Sequence, residues 1–68
     1  MSSYIQVHTT NSKVEMLSIK NMIENITNVS VETCQKLINN HILYSLKVDS
    51  VNKNKSSLAV KTYLSFHG

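Results

Sequence analysis

A helix start at Ser12 is the strongest structural signal in this chain. Ser12 suits the N-cap position, and Glu15 stands three residues later, where a carboxylate can reach back to the cap, so the two predict a capping box. Apolar residues then recur at spacings of three and four, within a stripe about 120° wide. They are Met16, Ile19, Met22, Ile23 and Ile26. This pattern predicts a helix that packs one face on a core.

Two apolar residues of this helix fall outside the stripe. Val14 and Leu17 project away from the predicted core face. Unless a second apolar surface covers them, both stay exposed. We interpret them as part of a surface for a partner or for a second copy of the chain.

The segment before the helix is predicted to be a strand. Apolar and polar residues alternate from Tyr4 to Thr9, and strand-forming residue types dominate. Ile5 and Val7 are expected to face the core.

A second helix is predicted after a break at residues 27–30. Ser30 suits its N-cap, and Asn39 and Asn40 suit left-handed terminating positions. The residues that would share its inner face are Val31, Cys34, Leu37, Ile38 and His41. Because residues 12–41 contain neither Pro nor Gly, one long bent helix is the alternative.

The C-terminal part is predicted to form a β-hairpin. The apolar period changes to two from Ile42 to Asp49 and again from Leu58 to Phe66, and residues 52–57 between them are polar. The predicted fold is therefore α+β, a two-layer sandwich of order β-α-α-β-β. Its three-stranded, mostly antiparallel sheet carries both helices on one face, and residues 1–68 form a single domain.

The predicted element order resembles that of the KH family of RNA-binding domains. These domains clamp nucleic acid with a Gly-x-x-Gly turn between two helices. Here the corresponding turn reads Ile26-Thr27-Asn28-Val29 and has neither glycine. No function is carried over from that family.

So short a chain has a small core. A core of this size rarely supplies more than about 3–5 kcal/mol, and small domains compensate with disulfides, metals or oligomerisation. Cys34 is the only cysteine, so no intrachain disulfide can form. We therefore expect a homodimer or small oligomer. With no signal-peptide pattern and no membrane-spanning stretch, we expect a soluble, cytoplasmic protein.

Catalytic groups are scarce, and we predict no enzymatic activity. On one predicted helix Cys34 and His41 would lie about 10.5 Å apart, which is beyond hydrogen-bond reach. The histidines are scattered over the sequence, and no metal-ligand spacing is present. Gly68 is the only glycine, so a phosphate-binding glycine loop is excluded, and no cofactor is expected.

The net charge of +3 comes from lysines, because the chain has no arginine. Four of them would surround the predicted C-terminal hairpin: Lys47, Lys53, Lys55 and Lys61. Such a cluster indicates weak, salt-dependent and sequence-independent contact with nucleic acid. The alternative is that these lysines only keep the hairpin soluble and protect its edge from aggregation.

The leading functional hypothesis is a small non-enzymatic binding or regulatory module that acts through protein contacts. The residues predicted to form its interface are Val14, Leu17, Leu43 and Tyr63. A composition rich in Asn, Lys and Ser is typical of an AT-rich genome, so a phage or plasmid accessory protein is one expected origin. Nucleic-acid binding through the lysines is the second hypothesis.

Overall fold

The computed structural model describes residues 3–67, apart from the side chain of His67. The element order is β-α-β-β-α. The elements are β1 (Tyr4–Thr10), α1 (Lys13–Thr27), β2 (Glu32–Ile38), β3 (His41–Asp49), a 3-10 turn (Ser50–Asn52) and α2 (Lys53–His67). An α+β fold with a three-stranded antiparallel sheet and two helices is confirmed, whereas the predicted order β-α-α-β-β is wrong.

Helix α1 begins where the sequence predicts. The Ser12 hydroxyl accepts a hydrogen bond from the Glu15 amide at 3.2 Å, as an N-cap should. Met16, Ile19 and Ile23 of the predicted stripe are buried, but Ile26 is 65% exposed. The helix ends at Thr27, and its C-cap residue Asn28 adopts the left-handed conformation with φ 57°.

Strand β3 is the centre of the sheet, whose strand order is β1-β3-β2. Its residues Leu46 and Val48 are completely buried. They belong to one core with buried residues of both helices and with Val29 and Val31 from the α1–β2 connection. Each helix contacts the other, β1 and β3.

Strand β1 confirms the predicted N-terminal strand, with one irregularity. Gln6 pairs with Lys47 and His8 with Leu46, so Val7 is an extra residue at a β-bulge. Val7 and His8 are both half-buried, and Val7 packs against the core as predicted. The bulge brings His8 onto the sheet face that carries Leu46.

The predicted second helix is wrong, and so is the alternative of one long helix over residues 12–41. Residues 32–38 form β2, an edge strand that pairs with β3 from Glu32↔Lys47 to Ile38↔His41. All seven of its side chains are exposed. Because neither face of β2 is buried, its sequence does not alternate, and the usual strand signal is missing.

Asn39 and Asn40 are left-handed, as predicted, but they form a hairpin turn rather than a helix end. Their φ angles are 49° and 66°, and a two-residue turn of type I′ needs positive φ at both positions. Asparagine tolerates this conformation better than most residues.

The predicted C-terminal hairpin is also wrong, because residues 53–67 form helix α2. Its deeply buried positions are Ser56, Ala59 and Val60, spaced by three and four residues. Two of these are small, so α2 packs closely through side chains that a search for large apolar residues overlooks. The alternation from Leu58 to Phe66 is coincidental, since Leu58, Leu64 and Phe66 are exposed.

Replacing Ser56 by Ala should stabilise the protein. The Ser56 side chain is completely buried, and its Oγ has no hydrogen-bond partner within residues 3–67. Removing an unsatisfied buried hydroxyl and adding helix propensity should raise the free energy of unfolding by about 1 kcal/mol. Ser57→Ala, the neighbouring half-buried position, is the matched control and reports the propensity gain alone. Urea denaturation measures both, and equal gains would contradict the prediction.

Replacing Asn40 should test the turn. Asn40→Gly should raise the unfolding free energy by about 0.5 kcal/mol, because glycine adopts positive φ without steric cost. Asn40→Ala should lower it by about 1 kcal/mol, since the left-handed conformation is unfavourable for alanine. The urea midpoints should therefore rank Gly above Asn above Ala, and any other ranking argues against this turn.

Candidate protein-interaction surface

The hairpin of β2 and β3 extends beyond the helical layer. The main contacts of both helices with the sheet are made with β1 and β3, and every residue of β2 is exposed. On the helix-facing side, Leu37 and Ile42 are cross-strand partners that are 70% and 43% exposed. Ile38, at the end of β2, is also exposed. The hairpin thus presents apolar side chains and an uncovered strand together.

Strand β2 also has a free backbone edge. At the far end of the sheet, the Ser50 amide donates to the Ser3 carbonyl at 2.7 Å. The backbone amides and carbonyls of even-numbered residues in β3 therefore point towards β1. Since bonding alternates along a strand, its odd-numbered residues bond β2, and their partners in β2 are even-numbered. The amides and carbonyls of Thr33, Gln35 and Leu37 therefore point away from the sheet.

A second apolar surface lies between the helices. The last turn of α1 and the first half of α2 border an open groove of about 470 Å³. Ile26 and Leu58 line it and are 65% and 66% exposed. Lys55 is also among its lining residues. This groove is apolar with one cationic group.

A smaller depression of about 320 Å³ lies at the hairpin turn. Ile38 and Ile42 line it together with Asn11, Asn39, His41 and Leu43. It adds to the apolar character of the hairpin end.

The four residues predicted as an interface do not form one surface. Val14 and Leu17 are exposed on α1. Leu43 is half-buried on β3, on the sheet face opposite to Leu46 and Val48. Tyr63 is half-buried on α2 and packs against the core. The hairpin surface was missed because β2 was interpreted as a helix.

The four lysines are not gathered at a hairpin tip, because the predicted C-terminal hairpin does not exist. Lys47 lies on β3, opposite Glu32. The others lie on α2, where Lys53 and Lys61 are about 80° apart around the helix and Lys55 is about 160° from Lys53. They therefore point in different directions.

A polar network connects β1 to the start of α1. The His8 Nε2 atom lies 3.5 Å from Glu15 Oε2, and the Ser12 amide donates to the Thr10 hydroxyl at 3.1 Å. Hydrogen bonding from Thr10, with a smaller contribution from His8, holds the pKa of Glu15 below its usual value. The Glu15 carboxylate thus contacts the strand, so only half of the predicted capping box forms.

Glu24 fixes the connection between α1 and β2. One carboxylate oxygen accepts a hydrogen bond from the Val31 amide at 3.2 Å, and the other accepts from Lys20 at 3.1 Å. The bond from Val31, followed by that from Lys20, lowers the pKa of Glu24. Its backbone carbonyl also accepts from the Asn28 amide at 3.1 Å. The turn is therefore bonded on both sides of Asn28.

The pair considered for nucleophilic chemistry is separated. Cys34 is an exposed free thiol on β2, and His41 lies across the turn on β3, opposite Ile38 rather than Cys34. Within the described part of the chain, no group of three or more His, Cys, Asp or Glu side chains is placed to hold a metal ion. None of the helices described is long and apolar enough to cross a membrane.

Comparison with protein-family models, curated proteins and solved structures finds no match to this chain.

Substituting Glu24 should make stability less sensitive to acid. A carboxyl whose pKa is lowered by folding stabilises the protein above its unfolded pKa near 4.5, and this stabilisation is lost as the pH falls through the folded pKa. Glu24→Ala should therefore cost about 1 kcal/mol at pH 7, discounted for partial exposure. The difference from the unsubstituted protein should shrink towards pH 3.

Glu24→Gln is the conservative comparison, since its amide oxygen can still accept from Val31 while the charge is lost. Urea denaturation at pH 7 and pH 3 measures all three proteins. A Glu24→Ala cost that is equally large at both pH values would show that the carboxylate charge is not involved.

Proposed function

We propose that this protein is a non-enzymatic protein-binding module that works as a homo-oligomer, with the β2–β3 hairpin as its self-association surface. The observation that carries the proposal is that all seven residues of β2 are exposed, among them Leu37 and Ile38, beside exposed Ile42 of β3. An uncovered edge strand with apolar neighbours is a template for another strand. A second copy is the partner that is always present at the same concentration.

The energetics favour association. Complete burial of a fully exposed Leu or Ile side chain contributes about 1.5–3 kcal/mol. Leu37, Ile38 and Ile42 can each contribute the share of this that corresponds to their exposure of 70%, 41% and 43%. A chain of 68 residues gains more from such contacts than a large domain does, because its own core is small. Self-association would thus stabilise the folded chain and also cover the exposed edge of β2.

The groove between the helices is where we place a different protein partner, in keeping with a regulatory role. It lies between α1 and α2 and leaves the β2 edge free. Its exposed Ile26 and Leu58 suit an apolar side chain, and Lys55 favours an acidic neighbour on that partner. The module would then join its own assembly to a second protein.

Nucleic-acid binding has less support. The hypothesis depended on four lysines around one hairpin, and the lysines instead lie on a strand and on two sides of α2.

Sedimentation tests the self-association. Between about 1 and 100 μM, the range in which moderate affinities are measured, the mass should rise from the 7.7 kDa monomer towards a multiple of it. Leu37→Lys should shift the equilibrium to monomer, because it places a charge on the surface that self-association would bury. Val14→Lys is the matched control, since Val14 is 75% exposed on α1 and away from the hairpin.

A monomer at every concentration would overturn the homo-oligomer. Dissociation by Val14→Lys but not by Leu37→Lys would instead favour the helix surface predicted from the sequence.

A further inference from the structure

Two opposite charges flank Cys34 at equal distances along β2. Glu32 precedes Cys34 by two residues, and Lys36 follows it by two. Because alternate side chains of a strand share a face, all three lie on the same side of β2. That side also carries their β3 partners Lys47, Ser45 and Leu43.

We propose that β2 pairs antiparallel with β2 of a second copy, around a two-fold axis at Cys34. This inference rests on the proposed function and specifies its geometry. Each Glu32 then lies opposite Lys36 of the other copy, so the interface contains two complementary charge pairs. A two-fold interface of this kind uses the same surface twice and closes on itself.

The backbone permits this register. The outward-pointing amides and carbonyls belong to odd-numbered residues, and a two-fold axis at Cys34 places Thr33 opposite Gln35 of the second copy. Residues with outward-pointing backbone groups thus lie opposite each other, as hydrogen-bonded pairs in an antiparallel sheet require. The combined sheet has the strand order β1-β3-β2-β2-β3-β1.

The charges distinguish this register from its nearest rival. An axis at Gln35 also joins odd-numbered residues, but it places Glu32 opposite Ile38 and Cys34 opposite Lys36. Neither charge then has a partner across the axis. The complementary charges therefore favour the axis at Cys34.

Charge reversal tests the register by sedimentation equilibrium. Glu32→Lys and Lys36→Glu should each raise the dimer dissociation constant at least about tenfold, because each juxtaposes like charges twice. The double variant Glu32→Lys/Lys36→Glu should return it to within about threefold of the unsubstituted protein. Lys61→Glu makes the same charge change on the outer side of α2 and should leave association unchanged.

Circular dichroism confirms that each variant is folded. A double variant that associates no better than the single variants overturns the proposed register, and so do single variants that associate normally.

Disulfide trapping supplies a distance that charge reversal does not. At the two-fold axis the Cys34 residues form a non-hydrogen-bonded pair, with Cα atoms about 4.5 Å apart, which a disulfide can span. Mild oxidation should therefore convert the dimer rapidly to a covalent one. Cys34→Ser should still associate but not cross-link. Cys34→Ser/Ser45→Cys moves the thiol one strand inward on the same face, and it should not cross-link either.

The outcomes separate this inference from the proposed function. If the protein associates and Leu37→Lys dissociates it, but Cys34 does not cross-link, the hairpin interface stands and the register is overturned. If the protein is monomeric throughout, both are overturned.

Discussion

Strand β3 is the constraint on which the rest of the structure depends. It is hydrogen-bonded on both edges, to β1 and to β2, and it places Leu46 and Val48 completely inside the core. Both helices contact this strand and β1. Within residues 3–67, β2 pairs with β3 and not with β1, so the central strand supplies the core with apolar residues and also carries the uncovered edge.

The path from α1 into that edge strand is fixed by polar contacts. Asn28 reverses the chain in the left-handed conformation, and the Glu24 carboxylate bonds the Val31 amide beyond the turn. Val29 and Val31 are buried on either side of exposed Ser30. The chain therefore enters β2 from the core, and β2 itself extends away from it. The exposure of β2 thus follows from the position of Val31, which the bond to Glu24 fixes at the start of the strand.

The exposed hairpin was not part of the interface predicted from the sequence. The expectation of an uncovered apolar surface came from Val14 and Leu17, which are indeed exposed. Other exposed apolar residues lie on the hairpin, with Leu37 at 70%. Their position depends on β2 being a strand, and the sequence around Cys34 fits a helical face equally well. The surface became visible only when the pairing partner of β2 was known.

What the sequence by itself determined were the elements with local signals: β1 and β3 by alternation, and α1 by its Ser12 cap and apolar stripe. Tertiary structure decided β2 and α2. Strand β2 exists because β3 offers it hydrogen bonds, although no side chain of β2 is buried. Helix α2 is buried through the small residues Ser56 and Ala59. Backbone pairing with a neighbouring strand and close packing of small side chains leave no periodic apolar pattern in the sequence. Both arise only when segments distant in the sequence come into contact.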